Sequence, residues 1–78
     1  MKIFVTSDDI KKGASNDAAF CPVAIALSKI FREVRVEEYV ISFAENDRRR
    51  EIKIPRSVER FIGRFDNDKK VSPFVFEI

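Results

Sequence analysis

A chain of 78 residues, 45% of them apolar and eight of them phenylalanine, holds enough hydrophobic material for a single small α+β domain over residues 1–78. At this length folding hides only roughly 60–65% of the unfolded surface, so dense packing must carry stability. Fifteen basic against thirteen acidic residues leave +2, too little to imply nucleic-acid binding by itself; one cysteine excludes an internal disulfide, and the absence of histidine removes the commonest general base and any histidine-ligated metal.

Lys2-Ile-Phe-Val-Thr6 is β-branched and aromatic, which predicts a first strand. Ser7 offers an N-cap, and Asp8 and Asp9 favour the positive end of a short helix that Gly13 stops. Ala14 to Asp17 reads as a loop. Cys21-Pro22 opens the next helix, with proline at the first helical position where its missing N–H is harmless. Val23, Ile25, Ala26, Leu27, Ile30 and Phe31 make that helix apolar on more than one face, hence buried.

Val34 to Phe43 reads as one long strand with a broken alternation. Val34 and Val36 share one parity, Tyr39, Ile41 and Phe43 the other, and a bulge near Glu37-Glu38 reconciles them. Ala44 to Arg49 is a polar hairpin loop. Arg50 to Ile54 is a third strand with Ile52 and Ile54 inward. Pro55 to Phe65 is a helix whose Val58, Phe61, Ile62 and Phe65 form one apolar stripe. Asp66 to Lys70 is a charged loop. Val71 to Ile78 is the last strand, alternating Phe74, Phe76 and Ile78 against Val75 and Glu77. The last helix and strand must bury their apolar faces on each other or on a shared sheet.

This order predicts a ferredoxin-like βαββαβ domain, with a mostly antiparallel four-stranded sheet, two main helices on one face and the other face free. The alternative is an α+β hairpin fold in which the second strand pairs only with the third. Met1 to Asp9 carries no long apolar segment, so no signal or transit peptide is expected, and no run reaches membrane-spanning length. The expected location is the cytoplasm of a bacterium or of an infected cell.

No catalytic set emerges. Cys21 is the one strong nucleophile candidate, because a helix N-terminus lowers a thiol's pKa. It needs a base, and none is apparent, so a small half-buried residue at a helix start is the simpler reading. Asp66-Asn67-Asp68 resembles the start of a calcium loop but lacks the required glycine and distant glutamate. Neither a metal nor a cofactor is expected. Two glycines cannot build a phosphate loop.

The basic residues carry more information. Arg48, Arg49 and Arg50 sit in or beside the second hairpin loop. Arg56, Arg60 and Arg64 fall at i, i+4 and i+8 on the last helix and form a stripe able to contact phosphates. Glu59 is close enough to screen them, and a solvated helix face is the competing reading. An RNA recognition motif fits the first strand, with Phe4 on the free face. It does not fit Arg50 to Ile54, which lacks the paired stacking aromatics.

The start Lys2-Ile-Phe-Val-Thr-Ser-Asp-Asp-Ile10 with Gly13, the helix opening Cys21-Pro-Val-Ala-Ile-Ala-Leu27, and the ending Ile54-Pro55, Arg60-Phe-Ile62, Phe65-Asp66 and Pro73-Phe-Val-Phe-Glu-Ile78 together span nearly the whole chain. In these pieces it resembles a family of small uncharacterised proteins of bacteriophages and some bacteria. The resemblance implies a viral or mobile-element origin and transfers no activity and no catalytic residue.

The expected function is a non-enzymatic interaction protein, phage-encoded, that binds a host or viral protein through Phe4, Tyr39 and the Arg48–Arg50 loop. An exposed strand edge also offers self-association as a homodimer. The alternative is a nucleic-acid-binding module using Arg48–Arg50 and the Arg56/Arg60/Arg64 stripe.

Overall fold

The computed structural model describes residues 1–78. In chain order the elements are β1 (Lys2–Val5), α1 (Ser7–Lys12), α2 (Pro22–Ser28), β2 (Arg32–Val36), β3 (Val40–Glu45), β4 (Arg48–Lys53), α3 (Arg56–Asp66) and β5 (Phe74–Glu77).

The four-stranded ferredoxin-like sheet does not form. β1 pairs antiparallel with β5 alone, and β2, β3 and β4 make a separate three-stranded antiparallel meander. The cause lies between Val34 and Phe43. That stretch is two strands reversed at Glu37–Tyr39, with Val36 opposite Ile41 and Arg35 opposite Ser42. Partners in this register have opposite parity, so the switch from Val34 and Val36 to Ile41 and Phe43 puts all four on the buried face. The parity break is a chain reversal, not a bulge at Glu37-Glu38. A bulge does occur, earlier, where the register shifts between Arg32 and Arg35 and Glu33 takes φ 52°.

The second hairpin is also tighter than expected. β3 runs to Glu45, and Asn46 and Asp47 turn the chain with φ of 51° and 63°. Asparagine and aspartate tolerate that left-handed geometry, which a two-residue hairpin turn requires. β4 therefore starts at Arg48, and the loop predicted over Ala44–Arg49 shrinks to two residues. With β2, β3 and β4 joined by such short turns, no long strand remains to bridge to β1.

The helices follow their local signals closely. α1 is capped by Thr6, one residue before the predicted Ser7, because Thr6 and Asp9 form a reciprocal capping box. The Asp9 N–H donates to Thr6 Oγ1 at 3.2 Å, and the Thr6 N–H donates to Asp9 Oδ2 at 2.9 Å. Asp9 is only 1% exposed, and Lys29 Nζ lies 2.8 Å from its Oδ1. Gly13 ends α1 as predicted, and close approach is the reason glycine is needed there. A Cβ at Gly13 would stand 2.5 Å from Cγ and Cδ of Pro22. The bare backbone lets the end of α1 lie against the start of α2.

Cys21 caps α2 and Pro22 opens it. Val23, Ala24, Ala26 and Leu27 are buried, as its all-round apolar pattern predicts. α2 ends at Ser28, so Ile30 and Phe31 lie beyond it. Phe31 turns inward and stacks on Phe43 with ring centroids 4.1 Å apart. On α3, Val58 and Phe61 are buried and Ile62 and Phe65 half-buried; on β5, Phe76 is buried while Val75 and Glu77 face out. The ring of Phe61 meets that of Phe74 at 4.7 Å, so the last helix and last strand do bury their faces on each other. Sixteen buried side chains from both sheets, from α2 and α3 and from the flanking Cys21, Phe31 and Ile54 form one core cluster. No helix is long and apolar enough to cross a membrane.

Candidate functional site

The pleat of β4 separates the three adjacent arginines, since successive side chains on a strand point to opposite faces. Arg49 lies across from Ala44 on the outer face of the meander. Its Nη2 donates to the buried Ser42 hydroxyl at 2.9 Å and its Nη1 to the Glu33 carbonyl at 3.0 Å, so it pins the β2 bulge. Arg50 lies across from Phe43, with its guanidinium 5.4 Å from that ring's centroid and 2.9 Å from Glu45. Only Arg48 keeps its guanidinium free of ion pairs and hydrogen bonds. Arg48 and Arg49 line a cleft of about 760 Å³ at the end of the meander, together with Arg32 but also Glu33, Glu45 and Asp47. The predicted loop cluster is thus a strand on which two of three arginines already hold the fold together.

α3 carries the clearest sorting of charge. Its buried side holds Val58 and Phe61. On one flank Glu59, Ile62 and Asp66 line a cleft of about 380 Å³ with Asp17, Glu37 and Glu38 and no basic residue. On the other flank Ser57, Arg60 and Arg64 line a cleft of about 440 Å³ with Lys70 and Ser72 and no acidic residue. Arg56 is exposed but lies outside both clefts. Glu59 thus lines the cleft opposite the one that Arg60 and Arg64 line. Lys70, Ser57 and Ser72 were not singled out in the sequence; Lys70 read there as one residue of a solvated loop.

Cys21 contributes to the wall of the acidic cleft but is itself buried. Its Sγ accepts from the Ala24 N–H at 3.4 Å. Burial pushes the thiol's pKa up, the Ala24 and Val23 N–H groups pull against that, and the charges of Asp66 and Asp17 add to the rise. A thiol held protonated among carboxylates is a poor nucleophile. Iodoacetamide at about pH 7 is expected to leave Cys21 unmodified in the native protein and to label it once urea unfolds the chain. Rapid native labelling, read by intact mass, would restore Cys21 as a chemical site.

Of the two carboxylates in Asp66-Asn67-Asp68, Asp66 has a protein partner: its Oδ1 accepts from the Asn16 N–H at 2.9 Å.

Phe4 and Tyr39 both stand out in solvent. Phe4 is 63% exposed on the outer face of the β1–β5 ribbon, directly across from Val75, itself 47% exposed. Tyr39 is 68% exposed in the turn between β2 and β3. Phe4 is therefore on the ribbon and Tyr39 on a turn of the meander. No family model, no curated protein and no solved structure matches this chain.

Proposed function

We propose that this protein is a small non-enzymatic interaction module that binds a host or viral protein in the cytoplasm of a bacterium or infected cell. One observation carries the reading: Phe4 and Val75 form an exposed apolar pair on a ribbon that has no third strand. Burying a side chain such as phenylalanine is worth roughly 1.5–3 kcal/mol, and here that gain is left for a partner. The ribbon also has free backbone N–H and C=O groups along its outer edges, which an extended segment of another chain can pair with. The resemblance to phage and bacterial proteins supports a host or viral partner.

The test is capture of a binding protein on immobilised wild type and on a Phe4→Ser variant, after nuclease treatment. The expected result is one protein retained by the wild type and lost from Phe4→Ser, with the variant's unfolding midpoint unchanged because Phe4 is already exposed. Equal retention on both would move the interface away from the ribbon. A second copy of the chain is the competing occupant, and a mass that doubles with concentration in light scattering would identify it.

The nucleic-acid reading rests on a narrower surface than the sequence implied. Arg49 and Arg50 are engaged within the meander, which leaves Arg48 and the arginines of α3 as its support.

A further inference from the structure

We infer that the cleft between α3 and the Lys70–Phe74 segment is a binding site for a phosphate group. This goes beyond the protein-binding reading of the ribbon and does not depend on it. It narrows the nucleic-acid reading to one place and one chemical group.

The local structure explains how the site is built. Arg60 and Arg64 are four residues apart on one flank of α3, so their side chains are neighbours. At the helix end the Asn67 side chain donates to the Gly63 carbonyl at 2.6 Å, and Asp68 takes φ 61°. That left-handed residue folds the chain back along the helix, and the Lys69 N–H closes the turn on the Arg64 carbonyl at 2.9 Å. Arg64 then grips the returning chain: its Nε and Nη2 both donate to the Lys70 carbonyl, at 3.2 and 3.0 Å. This fixes the guanidinium plane before any ligand arrives and leaves Nη1 without a partner. Lys70 joins Arg60 and Arg64 in the same cleft, with the Ser57 and Ser72 hydroxyls.

Charge decides the ligand class. Three cations share this cleft, none is in an ion pair, and no carboxylate lines it. The chain has nearly as many acids as bases, and α3 itself carries Glu59 and Asp66, yet both of these line the opposite flank. Clustered like charges repel one another, and an anion relieves that repulsion. A phosphate suits the set. It carries up to two negative charges, it accepts the planar fork of arginine, and its remaining oxygens accept from hydroxyls. Phe61, Phe74 and Val71 give the cleft an apolar floor on which the organic part of a phosphate ester can rest. The cleft is shallow and open to solvent, so it holds the phosphate at the surface and does not enclose the whole ligand.

The test is a titration followed by backbone amide NMR at constant ionic strength, with inorganic phosphate, adenosine 5′-monophosphate and a short oligothymidylate as separate probes. The expected result is saturable shifts centred on Ser57, Arg60, Arg64, Lys70 and Ser72. Arg60→Gln and Lys70→Gln should each weaken binding by about tenfold, the loss of one charge-assisted hydrogen bond. Arg64 is a poor choice for mutation because it also holds the loop. Arg56→Gln is the control, since Arg56 is equally cationic but outside the cleft. If Arg56→Gln weakens binding as much as Arg60→Gln, attraction is diffuse and the site is overturned. An absence of shifts with all three probes at low salt overturns it as well. Saturation by phosphate and the mononucleotide with no gain for the oligonucleotide assigns the site to small phosphorylated ligands. Tighter oligonucleotide binding with a steep salt dependence assigns it to a nucleic-acid backbone.

Discussion

Phe43→Ala is expected to lower the unfolding free energy by about 3–5 kcal/mol, the usual cost of removing a buried aromatic ring. Phe43 is fully buried, stacked on Phe31 at 4.1 Å and covered on its β4 side by the Arg50 guanidinium. It sits on the central strand of the meander, so β2 and β4 cannot close over the gap without losing register. The loss is large against the whole. A 78-residue chain has roughly 4–12 kcal/mol of stability to begin with. Urea unfolding should show a lower midpoint with an unchanged slope, because the surface exposed on unfolding hardly changes. Phe43→Leu, which keeps most of the volume, should lose less than about 1.5 kcal/mol. If Phe43→Ala costs no more than Phe43→Leu, the ring is not the keystone of the meander.

Phe43 also shows where sequence reading succeeds and where it stops. That it shares a face with Ile41 was legible from parity; which face is buried was not, since Tyr39 has the same parity and is exposed. The strand that contains it was not correctly bounded, because a parity break has two physical explanations. A bulge inserts one residue into a strand, and a hairpin reverses the strand so that partners of opposite parity meet. Glu37-Glu38-Tyr39 contains neither glycine, proline, asparagine nor aspartate, the usual signs of a turn, so the local sequence did not mark the reversal. The wrong choice there merged two strands and, with them, two sheets. The ends of the chain read more faithfully. The stripe on α3 and the alternation on β5 are dense, of unambiguous period, and packed against each other as their shape demands.

The basic surface was legible as composition and not as geometry. Arg48, Arg49 and Arg50 look like a cluster when placed in a loop, but on a strand the pleat sends neighbours to opposite faces. Arg60 and Arg64 were visible from helical spacing. Their meeting with Lys70 depends on a chain reversal at Asp68, and the sorting of Glu59 and Asp66 to the far flank depends on how α3 is rotated over the core. Neither follows from spacing along one helix.

The second large effect is expected at the Asp9–Lys29 pair, which ties α1 to the end of α2. Burial alone would raise the Asp9 pKa. The hydrogen bond from Lys29, the backbone and hydroxyl hydrogen bonds of Thr6 and the Lys29 charge outweigh it, and the carboxyl is held below the ordinary aspartate value. The Asp9 carboxylate is buried while the Lys29 side chain is half-exposed, at 1% and 53%. Removing the lysine is therefore the damaging change, because it strands a buried charge. Removing the carboxylate frees an ammonium that water already solvates. Lys29→Met should cost about 2–3 kcal/mol at neutral pH. The double variant Asp9→Asn/Lys29→Met should lose less than the two single losses added, since it leaves no charge unpaired. The pH dependence has a definite sign. A depressed folded pKa means that the pair's contribution is fully present above the unfolded value of about 3.9 and is lost as pH falls through the lower folded value. In Lys29→Met burial acts on the Asp9 carboxyl without the lysine to oppose it, so that carboxyl takes up its proton at a higher pH than in the wild type. The stability gap between the two proteins should thus be constant near about pH 7 and shrink as the pH falls through the variant's higher Asp9 pKa toward the wild type's lower one. Urea midpoints of both proteins across that range give the answer. A gap that stays constant into acid would mean that Lys29 acts by packing its methylene stem on α1 and not by its charge on Asp9.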